Sequence, residues 1–244
     1  MSKVKSIRSI NQNTFLIVLE NKTSYELLDE TIIKFKIILN KNILDIKEVL
    51  SYNELMKVYF KYQKKLIKKY HTEKEIENLL YLEGLSNDEI DILLIKYKKL
   101  NIINDNNYVK AFVNDSINLK LDGPNKIKNT LLLKGISLRL IDDGLSLYNH
   151  EFWQDRVNKI VLKKQSQNHK YSNIELKNKI DQKLYSLGYS NYNYALDVSF
   201  EKYILIKEYN RLLKKYNYDI ALEKIYQRGF SKDNISFIKN KKQD

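Results

Sequence analysis

IENLLYLEGLSNDEI, residues 76–90, recurs in outline three more times along the chain: IKNTLLLKGISLRLI at 127–141, IDQKLYSLGYSNYNY at 180–194 and ALEKIYQRGFSKDNI at 221–235. Each copy has an apolar residue eight before a glycine, another four before it, and then glycine, an apolar residue and serine. The glycines are Gly84, Gly135, Gly188 and Gly229, spaced by 51, 53 and 41 residues; the serines are Ser86, Ser137, Ser190 and Ser231. Residues four apart share one face of a helix. A glycine just past the helix end takes a positive φ and closes the last carbonyls. The apolar residue behind it turns back into the core, and the serine caps the next helix. In the first copy Glu89 adds a capping box to Ser86. Each copy is therefore a helix, a tight turn and a second helix.

A further amphipathic helix precedes each copy, over 53–70, 105–121, 152–164 and 201–216. Thr72 with Glu75 and Ser172 with Glu175 read as capping boxes, and Gly123-Pro124 opens a helix with proline in its first turn. The result is four three-helix repeats, at 51–104, 105–150, 151–199 and 200–244. The third is the weakest, because NYNYALDVSF offers little for a last helix. A period of ~40–50 residues of this kind means a mainly α, extended, curved array in which each repeat buries its face on the next.

The first fifty residues differ. Val4–Ile10, Phe15–Leu19 and Thr23–Leu28 are rich in Val, Ile, Phe and Thr and are separated by turn-forming residues. They read as a small antiparallel meander, a β-rich N-terminal segment (1–50) that needs helices for support. Asp29 is expected to N-cap a helix through Ile38.

Composition narrows the function. The 244 residues contain no cysteine, so a disulfide scaffold, a thiolate nucleophile and Cys-held metals are excluded. Three isolated histidines, His71, His150 and His169, and the lack of a phosphate-cradling glycine loop leave no catalytic constellation. An enzyme is not expected, and neither is a cofactor or a metal. No apolar run approaches the ~20 residues of a membrane span, and MSKVKSIRSI is no signal peptide, so a cytoplasmic protein is expected. The net charge of +13 points to a polyanionic partner. The Lys, Ile, Asn and Tyr bias is also what an AT-rich genome yields.

The stretch YKKLNIINDNNYVKAFVNDSINLKLDGPNKIKNTLLLKGIS, residues 97–137, resembles the central part of the bacterial RecX family, at Asp105, Tyr108, Gly123, Lys126, Lys134, Gly135 and Ile136. The order of a β-rich segment followed by three-helix repeats is similar to the longer members of that family. Lysine stands where the family mostly carries arginine. The resemblance implies a non-catalytic regulator of recombination and DNA repair. Such a protein binds the filament of the RecA recombinase on single-stranded DNA and modulates RecA, usually by inhibition; a monomer without a membrane partner is expected. The competing reading is a sequence-independent DNA-binding helical array with no recombinase role.

Candidate contacts to that partner are basic. Lys126, Lys128, Lys134 and Arg139 surround the helix pair that carries the resemblance. Lys163, Lys164, Lys214 and Lys215 form exposed-looking pairs, as do Lys241 and Lys242 at the end. Arg156, Arg211 and Arg228 stand out among only five arginines, because guanidinium suits bidentate phosphate contacts. The 19 tyrosines read mainly as packing material.

Overall fold

The computed structural model describes residues 2–240, with side chains to residue 238. Lys241 and Lys242 lie outside the described residues. The chain divides into two compact units, Met1–Tyr108 and Val109–Asp244. The fold is mainly α, with a small antiparallel sheet at the N-terminus.

In the first unit, β1 (Ser2–Asn11), β2 (Thr14–Leu19) and β3 (Ser24–Leu28) form the expected meander. A two-residue strand the sequence did not reveal, β4 (Asn42–Ile43), pairs with the start of β1, giving the order β3-β2-β1-β4. Register shifts between Val4 and Ser6 and between Ser9 and Asn11 explain why β1 alternates imperfectly. Val4, Ile17, Leu19 and Leu27 make the buried side of this sheet.

Helix α1 (Asp29–Phe35) is shorter than expected. Lys36 adopts a left-handed conformation, the Ile37 amide bonds to the Ile32 carbonyl, and that of Lys36 to the Ile33 carbonyl. This double closure ends the helix and turns Ile37 into the core. Asp29 is not the N-cap: Leu28 holds that position, and its amide donates to Asn53.

Helix α2 (Ile46–Leu66) starts earlier than its apolar spacing suggested, because Asp45 caps it through the amides of Lys47 and Glu48. With α3 (Glu73–Leu82) and α4 (Asn87–Lys99) it buries Leu55, Met56, Tyr59, Ile76, Leu80, Leu93 and Tyr97 in one core. Helix α5 (Asp105–Asp115) follows and runs into a π-helical turn, Ser116–Lys120.

The second unit continues with α6 (Pro124–Leu133), α7 (Leu138–Leu145), α8 (His150–Ser166), α9 (Asn173–Ser186), α10 (Val198–Leu213), α11 (Tyr218–Gln227) and α12 (Lys232–Asn240). Among the described residues no strand follows Ile43. The residues eight and four before each glycine are buried in all four copies: Ile76 and Leu80, Ile127 and Leu131, Ile180 and Leu184, Ala221 and Ile225. All four glycines have positive φ. Ser86 and Ser137 cap α4 and α7, and Ser231 accepts from the Asn234 amide at the start of α12.

The third copy is the exception to the three-helix pattern. No helix lies between Leu187 and Val198, so Ser190 caps none. Asn191 takes a left-handed φ, and the stretch after it lacks both the apolar spacing and the third-position acid of a helix start. Its tyrosines pack elsewhere. Tyr189 and Tyr192 join Trp153 and His150 in an aromatic cluster, and Tyr194 donates to Asp181.

Candidate functional site

The stretch with the family resemblance is built around the start of α6. Gly123 caps that helix and donates its amide to the Leu187 carbonyl at 2.6 Å, while the Asn125 amide donates to the Gly188 carbonyl at 3.2 Å. The open N–H groups of one helix thereby satisfy the open carbonyls at the end of another. Contact is close. A Cβ on Gly123 would stand 2.8 Å from the Gly188 oxygen, and one on Gly188, at φ +83°, would stand 2.4 Å from the Lys126 nitrogen. The same joint recurs at α9, whose cap Ser172 donates to the Arg228 carbonyl at 2.7 Å, next to Gly229.

Carboxylates close the first amides of two middle helices. Asp105 accepts from Glu73 at 2.9 Å, and the buried Glu201 accepts from Asn173 at 2.9 Å and from the Asn234 side chain at 2.8 Å. Asp105 does not cap its own helix: Asn104 accepts from the Asn107 amide there, and Asp105 serves α3. Burial pushes the Asp105 carboxyl above its ordinary range, against the lowering effect of the Glu73 amide.

The arginines expected to meet phosphate are engaged within the protein. Arg156 donates to the Ile117 carbonyl in the π-helical turn and lies over the Phe152 ring. Arg211 and Arg228 both clasp the buried Glu208, Arg211 at 2.9 Å. Burial raises the Glu208 carboxyl, but hydrogen bonds from Arg211 and Arg228 outweigh it and hold the group below the ordinary range. A lowered carboxylate gives stability that is present above its unfolded pKa and lost as pH falls through the folded one. Glu208→Gln is therefore expected to lower the melting temperature at neutral pH, with the gap to the parent closing in acid. Melting curves across that range check the sign.

The lysines divide. Lys126 pairs with the buried Asp122 at 2.7 Å, and Lys128 with Asp142 at 2.9 Å. Lys134 is the half-buried C-cap residue of α6. Arg139, Lys163, Lys164, Lys214 and Lys215 are exposed. Lys126 is thus a candidate contact that also pairs with the buried Asp122.

Beside this joint a groove of about 390 Å³ opens between α6 and α9. Lys126, Asn129, Thr130 and Leu133 line it from α6, and Tyr185 and Tyr189 from the other side. Leu133 is 90% and Tyr185 83% exposed. Among the described residues no cluster of three or more His, Cys, Asp or Glu is placed to hold a metal, and no helix is long and apolar enough to cross a membrane.

Residues 104–145, which contain the π-helical turn, Gly123 and α6, match the family model for the second three-helix domain of RecX. A regulatory protein RecX from Finegoldia magna is 32% identical over 77% of this chain and 93% of its own length. The chain belongs to the RecX family. The regulatory protein RecX of Listeria innocua is 25% identical over 94% of this chain and 92% of that protein. A crystal structure of a regulatory protein RecX shares the fold with a TM-score of 0.70, at 23% identity over 78% of this chain and 95% of the other. The RecX of Lactobacillus salivarius, 26% identical, superposes with a TM-score of 0.53 over 64% of this chain and 97% of its own.

Proposed function

We propose that this RecX-family chain is a non-catalytic regulator of homologous recombination and DNA repair. It binds the RecA filament on single-stranded DNA and inhibits RecA. The observation that carries the reading is the family membership, which spans nearly the whole length of the Finegoldia relative. Two physical features support it. The charge of +13 suits a partner that contains DNA. Helical repeats docked one on another suit a long, grooved partner. We group the helices into four units at 51–104, 105–150, 151–199 and 200–244, the third keeping only α8 and α9.

The test is a titration of DNA-dependent ATP hydrolysis by RecA. A filament regulator changes the rate well below one copy per RecA monomer. If the rate changes only once the protein is abundant enough to coat the DNA, the chain is a general DNA binder with no recombinase role. Joint replacement of the exposed Arg139, Lys163 and Lys164 by Ala is expected to weaken the effect several-fold with unchanged helix content. Every cation taken off a phosphate flattens the salt dependence by about 0.7 in the log–log slope. An ATPase titration of the triple variant that overlays the parent's at two salt concentrations would place the binding face elsewhere.

A further inference from the structure

We propose that the groove between α6 and α9 is a direct stacking site for unpaired nucleotide bases. Its ligand is chosen from the filament reading above, and on that choice the inference rests.

Solvent-facing helix positions are normally polar. Leu133 and Tyr185 break that rule more fully than almost any other side chain in the second unit. The placement of Tyr185 is not isolated. The residue three before the glycine is apolar and exposed in every copy: Tyr81 (67%), Leu132, Tyr185 and Tyr226. A recurring exposed apolar position on otherwise polar helix faces marks a contact surface.

The polar part of the lining points to nucleotides rather than to a peptide helix. A peptide helix needs a continuous apolar channel. Here the lining includes amides and hydroxyls: Asn125, whose amide reaches the Ser190 hydroxyl at 2.7 Å, Asn129, and Thr130, whose hydroxyl donates to the Lys126 carbonyl. Such groups bond base edges, while a tyrosine ring accepts the face of any base. No carboxylate lines the groove, and Lys126 stands on its wall with Asp122 buried beneath it. The second unit, residues 109–244, carries 25 basic and 15 acidic residues, so a polyanionic strand is attracted to it.

Fluorescence anisotropy with two labelled probes of equal length, an oligothymidylate and an abasic sugar–phosphate strand, tests this on the full chain. The parent is expected to prefer the oligothymidylate. Tyr185→Ala should bind it about tenfold more weakly, the size of one base–ring stack. Tyr185→Phe, which keeps the ring, should bind like the parent, and all three should hold the abasic strand equally. Equal binding of both probes by the parent, or an unchanged oligothymidylate affinity in Tyr185→Ala, overturns the proposal. So does a Tyr185→Ala variant that binds the oligothymidylate normally but no longer alters RecA ATPase, because the groove then holds a protein segment. The filament reading fails separately: it falls if the parent leaves RecA ATPase unchanged, whatever the two probes show.

Discussion

Gly188→Ala is expected to destabilise the second unit by roughly 3–5 kcal/mol, the range of the most damaging single substitutions. Two costs add. A left-handed conformation costs a residue with a Cβ about 1–2 kcal/mol. The new methyl also meets the backbone nitrogen of Lys126 at 2.4 Å, and backbone cannot rotate out of the way. Relief requires α6 and α9 to part, which breaks the hydrogen bonds from Gly123 to Leu187 and from Asn125 to Gly188, at about 1 kcal/mol each. Gly84→Ala is the matched control. It has the same φ of +83° but nothing within 4 Å of the added carbon, so only the conformational cost of about 1–2 kcal/mol remains. Urea denaturation of the two variants should separate them clearly. Equal losses would mean that the joint between these helices contributes nothing.

The second large effect is expected at Asn53, which is buried in α2. Its side-chain oxygen accepts from the Leu28 amide at 2.8 Å and the Thr31 hydroxyl at 3.0 Å, and its nitrogen donates to the Glu26 carbonyl at 3.1 Å. One amide thus ties the end of β3 and the start of α1 to α2. Asn53→Ala leaves three polar groups without partners away from water, and a loss of about 3 kcal/mol follows. Asn53→Asp discriminates further. It keeps both acceptor contacts but sets a buried carboxylate against the Glu26 carbonyl. Burial raises the pKa of such a group, so this variant should be unstable at neutral pH and recover as acid protonates it. Denaturation midpoints of Asn53→Asp that fall in acid as steeply as the parent's would refute the role of this amide.

Much of this architecture was legible from residue spacing. The four glycines and the apolar positions before them mark real helix ends and real core faces, because those features depend only on neighbours within one or two turns. Thr14–Leu19 was legible as a strand for the same local reason. What escaped is set by contacts distant in sequence. No local pattern singles out Glu201 and Glu208, yet both are buried, and Glu201 answers an amide 28 residues away. Asn53 interrupts an apolar face, and its partners lie in β3 and α1. The missing helix after Ser190 was foreshadowed only by a weak pattern. The internal partners of the candidate surface were not legible. Arginines chosen for phosphate are spent on Glu208 and on a carbonyl, while tyrosines assigned to packing include the exposed Tyr81 and Tyr185. Aligning the four copies held the signal for those two, since their position is apolar every time.

The docking of α6 onto Gly188 has a consequence for the order of events on the ribosome. The Asn125 side chain and its Ser190 partner are separated by 65 residues, which takes roughly 3–13 s to synthesise at ~5–20 residues per second. The start of α6 is therefore left without its closing carbonyls for that interval, and the start of α9 waits in the same way for Arg228, 56 residues on. Vectorial synthesis thus runs against the grain of this chain at these two helices, whose starts emerge before the turns that seal them. A pause in translation just after α6 would prolong its exposure, whereas one beyond residue 190 would let the joint close.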